Sequence, residues 1–189
     1  MKKISRVLLC LGLSLLVFNL FGCNESEKSE QPPVENNPVS QQDVVTAPGY
    51  ESEKFNLKFT PPEGYIMFSK AEIDAQSAQS LTTSYEMISE DSDGFPHVIV
   101  VYEKADVPSV TEYLNILKSG FPAEEYALSE ISSKEIAGRT FECFTVTTAN
   151  GIIETFYSEK APEGFLCIAV ITTIEDFGED EALAAFSEY

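Results

Sequence analysis

Residues 140–173 read TFECFTVTTANGIIETFYSEKAPEGFLCIAVITT, and the turns inside this stretch decide the fold. Asn150-Gly151 separates two β-rich runs, 140–148 and 152–158, as a two-residue hairpin signal. Pro162-Glu163-Gly164 marks the next turn, ahead of a third run at 165–173. A further run at 126–136 precedes them, so four strands follow one another as an antiparallel meander. Phe141, Phe144, Phe156, Tyr157 and Phe165 are distributed through it. Most of them must be core or cover for a helix, with a subset free to line a ligand groove.

Working outward, residues 96–102 hold Val98-Ile99-Val100-Val101 in succession, which implies burial on both faces of a strand. Ser109 and Glu112 have the spacing of a capping box, and Val110, Tyr113, Leu114 and Leu117 form one helix face that Gly120 and Pro122 end. Ser69 and Glu72 form a second box, opening a helix through Ile73, Ala75, Ala78 and Leu81. Phe55, Leu57 and Phe59 alternate ahead of Pro61-Pro62-Glu63-Gly64, and residues 85–89 read as a strand before the turn Asp91-Ser92-Asp93-Gly94. Asp176 with Glu179 is placed to cap a last helix whose inward face is Ala182, Leu183, Ala185 and Phe186. The order specifies an α+β domain over residues 51–189. It is expected as a single, largely antiparallel sheet of about six to seven strands with helices packed on its faces.

The N-terminal segment is of another kind. Lys2, Lys3 and Arg6 precede an apolar run over 7–20, which is the pattern of a signal peptide and shorter than a bilayer span. The run ends in Leu20-Phe21-Gly22-Cys23, which resembles the bacterial lipobox. Residues 1–22 are thus read as a lipoprotein signal, and residues 23–50 as a lipidated Cys23 followed by a tether. The tether is Glu, Ser, Gln, Asn and Pro with isolated Val, too polar to bury a core. The resulting location is the extracytoplasmic face of a bacterial membrane.

The formal charge is −19, and removal of residues 1–22 takes Lys2, Lys3 and Arg6 and no acid, which leaves −22. Such a chain repels nucleic acid and anionic head groups. Its membrane contact is expected through acyl chains on Cys23 alone. Cys143 and Cys167 fall on strands separated by a third, about twice the 4.8 Å strand spacing. That separation is too wide for a disulfide, so both are expected as free, buried thiols.

No cofactor is expected. His97, the one histidine, follows Pro96 at the mouth of an apolar strand without a Cys or His near it in sequence, which favours a structural or simply exposed histidine over a catalytic or zinc-binding one. Asp91 and Asp93 resemble the start of a calcium loop, but Val100 stands where the EF-hand spacing needs Glu, and an Asp-Gly turn is the better account. Glu175, Asp176, Glu179, Asp180 and Glu181 crowd one segment. They suit the positive end of the last helix, or an acidic contact surface for a basic partner. No nucleophile elbow, phosphate loop or His-Glu-x-x-His pair is present, and a carboxylate-based hydrolase ranks third, behind a binding module and a small-ligand or metal-ion binding protein.

The strand running into Pro-Pro-Glu-Gly-Tyr at 61–65, the valine-rich strand, Ser-Val-Thr-Glu-Tyr-Leu at 109–114, Ile-Ala-Gly-Arg at 136–139, the meander and the closing helix together resemble the PsbP-like α-β-α sandwich family. That family includes bacterial lipoproteins with this signal, tether and domain layout. The resemblance covers residues 54–189 and implies the fold. It carries over no functional residue, and Tyr65 stands where the family's turn has Trp. The expected function is therefore a non-catalytic binding or accessory module for a protein partner, with a small-ligand or metal-ion binding lipoprotein as the alternative.

Overall fold

The computed structural model describes residues 49–92, 94–175 and 178–189. The signal segment, Cys23, the tether up to residue 48, Asp93 and Asp176 lie outside them. Along the chain run β1 (Tyr50–Ser52), β2 (Leu57–Phe59), β3 (Tyr65–Met67), α1 (Lys70–Ser77), β4 (Thr83–Asp91), β5 (His97–Glu103) and α2 (Val110–Lys118). They are followed by β6 (Tyr126–Leu128), β7 (Ser132–Ile136), β8 (Arg139–Thr148), β9 (Ile152–Ala161), β10 (Gly164–Thr173), α3 (Glu179–Ala184) and β11 (Phe186–Ser187).

The main sheet has the order β3-β4-β5-β10-β9-β8-β6, with β7 also on β8, and all its pairings are antiparallel. Its centre is β10, buried from Gly164 through Thr172. Phe165, Cys167, Ala169 and Ile171 face one core, and Leu166, Ile168 and Val170 the other. The unbroken apolar run follows from this position, because a strand buried on both faces has no polar side to alternate with. On the first face lies α2, through Tyr113, Leu114 and Leu117. The Tyr113 ring stacks on Phe165 with centroids 4.3 Å apart and planes 4° from parallel. On the second face, Leu57, Phe59, Ala182, Leu183 and Phe186 pack against Ile168 and its neighbours.

The architecture is α+β as the sequence implies, and several details differ. Among the described residues the main sheet has eight strands rather than six or seven. The run at 126–136 splits into β6 and β7, which pair with different parts of β8. At the break, Ser129 N–H donates to the Thr145 carbonyl at 2.9 Å and Ser129 Oγ accepts from Thr145 N–H at 2.8 Å. A second, three-stranded sheet, β1-β2-β11, shares the cover of the second face with α3. Helix α3 ends at Ala184, and Phe186 reaches the core from β11, opposite Phe59, rather than from a helix. Tyr50, assigned to the end of the tether, opens β1.

The turns follow the backbone chemistry of their residues. Between β8 and β9 lie three residues, 149–151, instead of two, with Gly151 at φ +84° and its N–H donating to the Thr148 carbonyl at 3.0 Å. Glycine suits the left-handed position that closes a three-residue hairpin. Cys143 on β8 and Cys167 on β10 are free, buried thiols with β9 between them, one in each core.

Candidate functional site

The distinctive local construction is at the outer side of β4. Strand β3 pairs only with Ser89 to Asp91, so the rest of β4 lacks a strand neighbour on that side among the described residues. Its backbone is satisfied by what precedes it in sequence. Phe68 N–H donates to the Ile88 carbonyl at 3.0 Å. The Ser77 hydroxyl accepts from Tyr85 N–H at 2.9 Å, and the Ser80 hydroxyl accepts from Thr83 N–H at 3.1 Å. Helix α1 and its trailing loop thus close a strand edge that would otherwise invite another chain. The Ser77→Ala variant should lose about 1 kcal/mol in urea denaturation and show faster hydrogen exchange at the Tyr85 amide. Unchanged exchange there would contradict this role of Ser77.

This duty also explains the length of α1. It begins as predicted, with Ser69 N–H donating to Glu72 Oε2 at 2.8 Å and Glu72 N–H to Ser69 Oγ at 3.4 Å. It ends at Ser77 instead of running to Leu81, because serines 77 and 80 turn to β4. Ala75 and Ala78 are exposed, and Leu81 projects fully into solvent. Ser109 caps α2 by accepting from Glu112 N–H at 3.2 Å.

Between α1, β4 and the start of β1 lies a groove of about 520 Å³. A bulge between Tyr85 and Met87 sends these two side chains to opposite cores and leaves Glu86 without a register partner. Tyr50, Met67, Phe68, Ile73, Tyr85 and Met87 supply the apolar walls, and Glu86 lines the groove among them. Glu86 is half-buried and has no ion pair among the described residues. Lys70, on the rim, is held by both Asp74 carboxylate oxygens, at 2.8 and 2.9 Å. The Tyr50 hydroxyl is sealed from water without a well-aligned hydrogen bond. Burial, with the Glu86 carboxylate adding to it, pushes this phenol up to about 12 against the opposing effect of nearby Ser52.

The remaining chemistry-bearing groups are inside. On the face under α2, Glu103 Oε2 accepts from the Tyr113 hydroxyl at 2.7 Å, and Glu103 Oε1 has no hydrogen-bond partner among the described residues. Glu154 lies on the same face with an unpartnered Oε1. Burial pushes the Glu154 carboxyl up to about 8, and it raises Glu103 and the Cys167 thiol too. Burial disfavours the charged form of each of these groups.

Each sequence-derived candidate has a place. His97 is buried and cross-strand from Glu90, with Nδ1 3.2 Å from Glu90 Oε2 and its ring edge-on to Phe95 at 5.1 Å. Burial lowers the imidazole and raises the carboxyl, so both shifts oppose an ion pair between them. Asp91 ends β4 in a turn closed by Gly94 N–H on its carbonyl at 2.8 Å. No metal-holding group of three acids, His or Cys occurs among the described residues. Of the acidic segment, Glu179 accepts from the Tyr157 hydroxyl at 2.7 Å and Asp180 pairs with Lys134 at 3.0 Å. The five meander aromatics are all buried.

The groove therefore draws on none of the candidate site residues read from sequence, and takes Ser69 and Ile73 from the helix predicted there. Its one legible signal is Phe68 and Ile73, which flank the cap as the N′ and N4 residues of a hydrophobic staple. Fold and site together define an α+β domain with a sealed polar interior and a solvent-facing groove beside a closed strand edge.

No family model matches the chain, and no curated protein matches it. Among solved structures the chain is similar to cyanobacterial PsbP from Synechocystis sp. PCC 6803, with 13% identity and a TM-score of 0.45 over 81% of this chain and 100% of that one. It is also similar to LpqN, described as involved in cell envelope biogenesis of Mycobacterium tuberculosis, with 6% identity and a TM-score of 0.43 over 69% and 82% of the two chains. The first bears the family name that the turns at 61–65 and 136–139 resemble.

Proposed function

We propose that the chain is an extracytoplasmic lipoprotein, anchored through acyl chains on Cys23, whose domain serves as a non-catalytic binding or accessory module for a protein partner. One observation carries the reading. Glu103, Glu154 and Cys167 are locked in the core, whereas the accessible features include a largely apolar groove and the exposed side chains of Ile66, Leu81, Ile174 and Tyr189. Catalysis needs its groups within reach of a substrate. Recognition needs an accessible concave or apolar surface.

The second reading, a small-ligand site, is favoured by the groove's volume, which falls in the range of ligand pockets. It is disfavoured by the use of Ser69, Ser77, Lys70 and Asp74 in contacts within the protein.

Metabolic labelling with an alkyne fatty acid tests the anchor. The wild type should label and the Cys23→Ser variant should not. A wild type that never labels, or a variant that still does, would contradict it. Affinity capture from gently solubilised envelope tests the module, which requires a stoichiometric protein partner.

A further inference from the structure

The groove beside β4 has an unusual charge state for an apolar concavity. Its rim cation, Lys70, is already paired with Asp74. The charge left over is the half-buried carboxylate of Glu86, next to a tyrosine hydroxyl sealed from water. A partly desolvated carboxylate without a counter-ion favours an incoming cation, and the chain as a whole, at −19, adds to that preference. Tyr50, Phe68 and Tyr85 present aromatic surface to the same space, which suits a cation on an apolar stem.

The backbone excludes one form of recognition. An extended peptide cannot add as a strand to β4, because Ser80, Ser77 and Phe68 already satisfy its edge at Thr83, Tyr85 and Ile88. What remains is insertion of a side chain.

We propose that the groove receives one lysine or arginine side chain of the partner polypeptide, its alkyl stem against Met67, Phe68 and Ile73 and its cation on Glu86. The inference rests on the binding-module reading above and adds the chemistry of the contact. Leu81, in the loop between groove-lining Ser77 and Ser84, offers an apolar rim for the partner's flanking residues.

The test is an amide NMR titration of the mature chain carrying Cys23→Ser, with three capped tripeptides: leucine-lysine-leucine, its Nε-acetyl-lysine form, and leucine-glutamate-leucine. The lysine peptide should move amides at residue 50 and over 68–77 and 84–87. Acetylation or Glu86→Gln should weaken it by at least about tenfold, the loss of one charge-assisted hydrogen bond. Equal binding of all three peptides, shifts centred elsewhere, or no shift at millimolar peptide would overturn the proposal. Envelope capture separates this failure from that of the parent reading. A partner held equally by wild type and Glu86→Gln sinks the groove inference and leaves the module standing, whereas no partner with either chain sinks the module.

Discussion

Replacing Glu154 with glutamine is expected to stabilise the domain most above pH 8 and to flatten its stability between pH 5 and 8. The folded carboxyl titrates at about 8, against an ordinary value of 4.5, so the folded state holds the proton more tightly than the unfolded one. Its stabilising effect is complete below about pH 4.5, declines as pH rises, and is gone once the folded carboxyl itself ionises near pH 8. The difference amounts to about 4 kcal/mol between the ends of that window. Glu103, also raised by burial, slopes the same way. His97, lowered by burial, slopes oppositely, its contribution being lost as pH falls below its ordinary value of 6.5. Urea denaturation from pH 4.5 to 9 measures the balance. Wild type should weaken toward high pH more steeply than the variant. Parallel curves would mean that Glu154 has access to water or to a counter-ion.

The second large effect belongs to Tyr113. Tyr113 is 1% exposed with its ring stacked on Phe165, and its hydroxyl is the one donor to Glu103 among the described residues. Tyr113→Phe keeps the ring and leaves a buried carboxyl with neither oxygen partnered. The expected cost is about 2–3 kcal/mol at pH 7, because an unmet buried acceptor forfeits its hydration without return. Glu103→Gln keeps an acceptor for the hydroxyl and should cost less. In a double-mutant cycle the two changes should couple by about 1 kcal/mol or more. Additive losses would show that the 2.7 Å contact contributes little and that α2 is held by the packing of Tyr113, Leu114 and Leu117.

The parts of the fold legible in sequence were those with long, uniform patterns. The meander announced itself through Asn150-Gly151 and Pro162-Glu163-Gly164, and the continuous Val98 to Val101 run through its burial on both faces. The second sheet was not legible, since β1 and β2 have three residues and β11 two, too few to establish a period of two. Apolar Ala75, Ala78 and Leu81 extended the predicted first helix because periodicity cannot register that serines 77 and 80 have partners on β4. The groove escaped for a related reason. Tyr50, Phe68 and Glu86 come together only when β1, α1 and β4 meet, and the bulge at Glu86 has no local sequence mark. The buried acids escaped too, because Glu103 and Glu154 sit in strand runs where a polar residue ordinarily marks the solvent face.

A photo-crosslinking amino acid placed at position 81, compared with one at position 135 on the exposed edge strand β7, tests the central claim most directly when both are irradiated in intact envelopes. Recognition through the groove predicts one discrete protein adduct from position 81 and none from 135. Identical smears from both positions, or no protein adduct at 81, would contradict it.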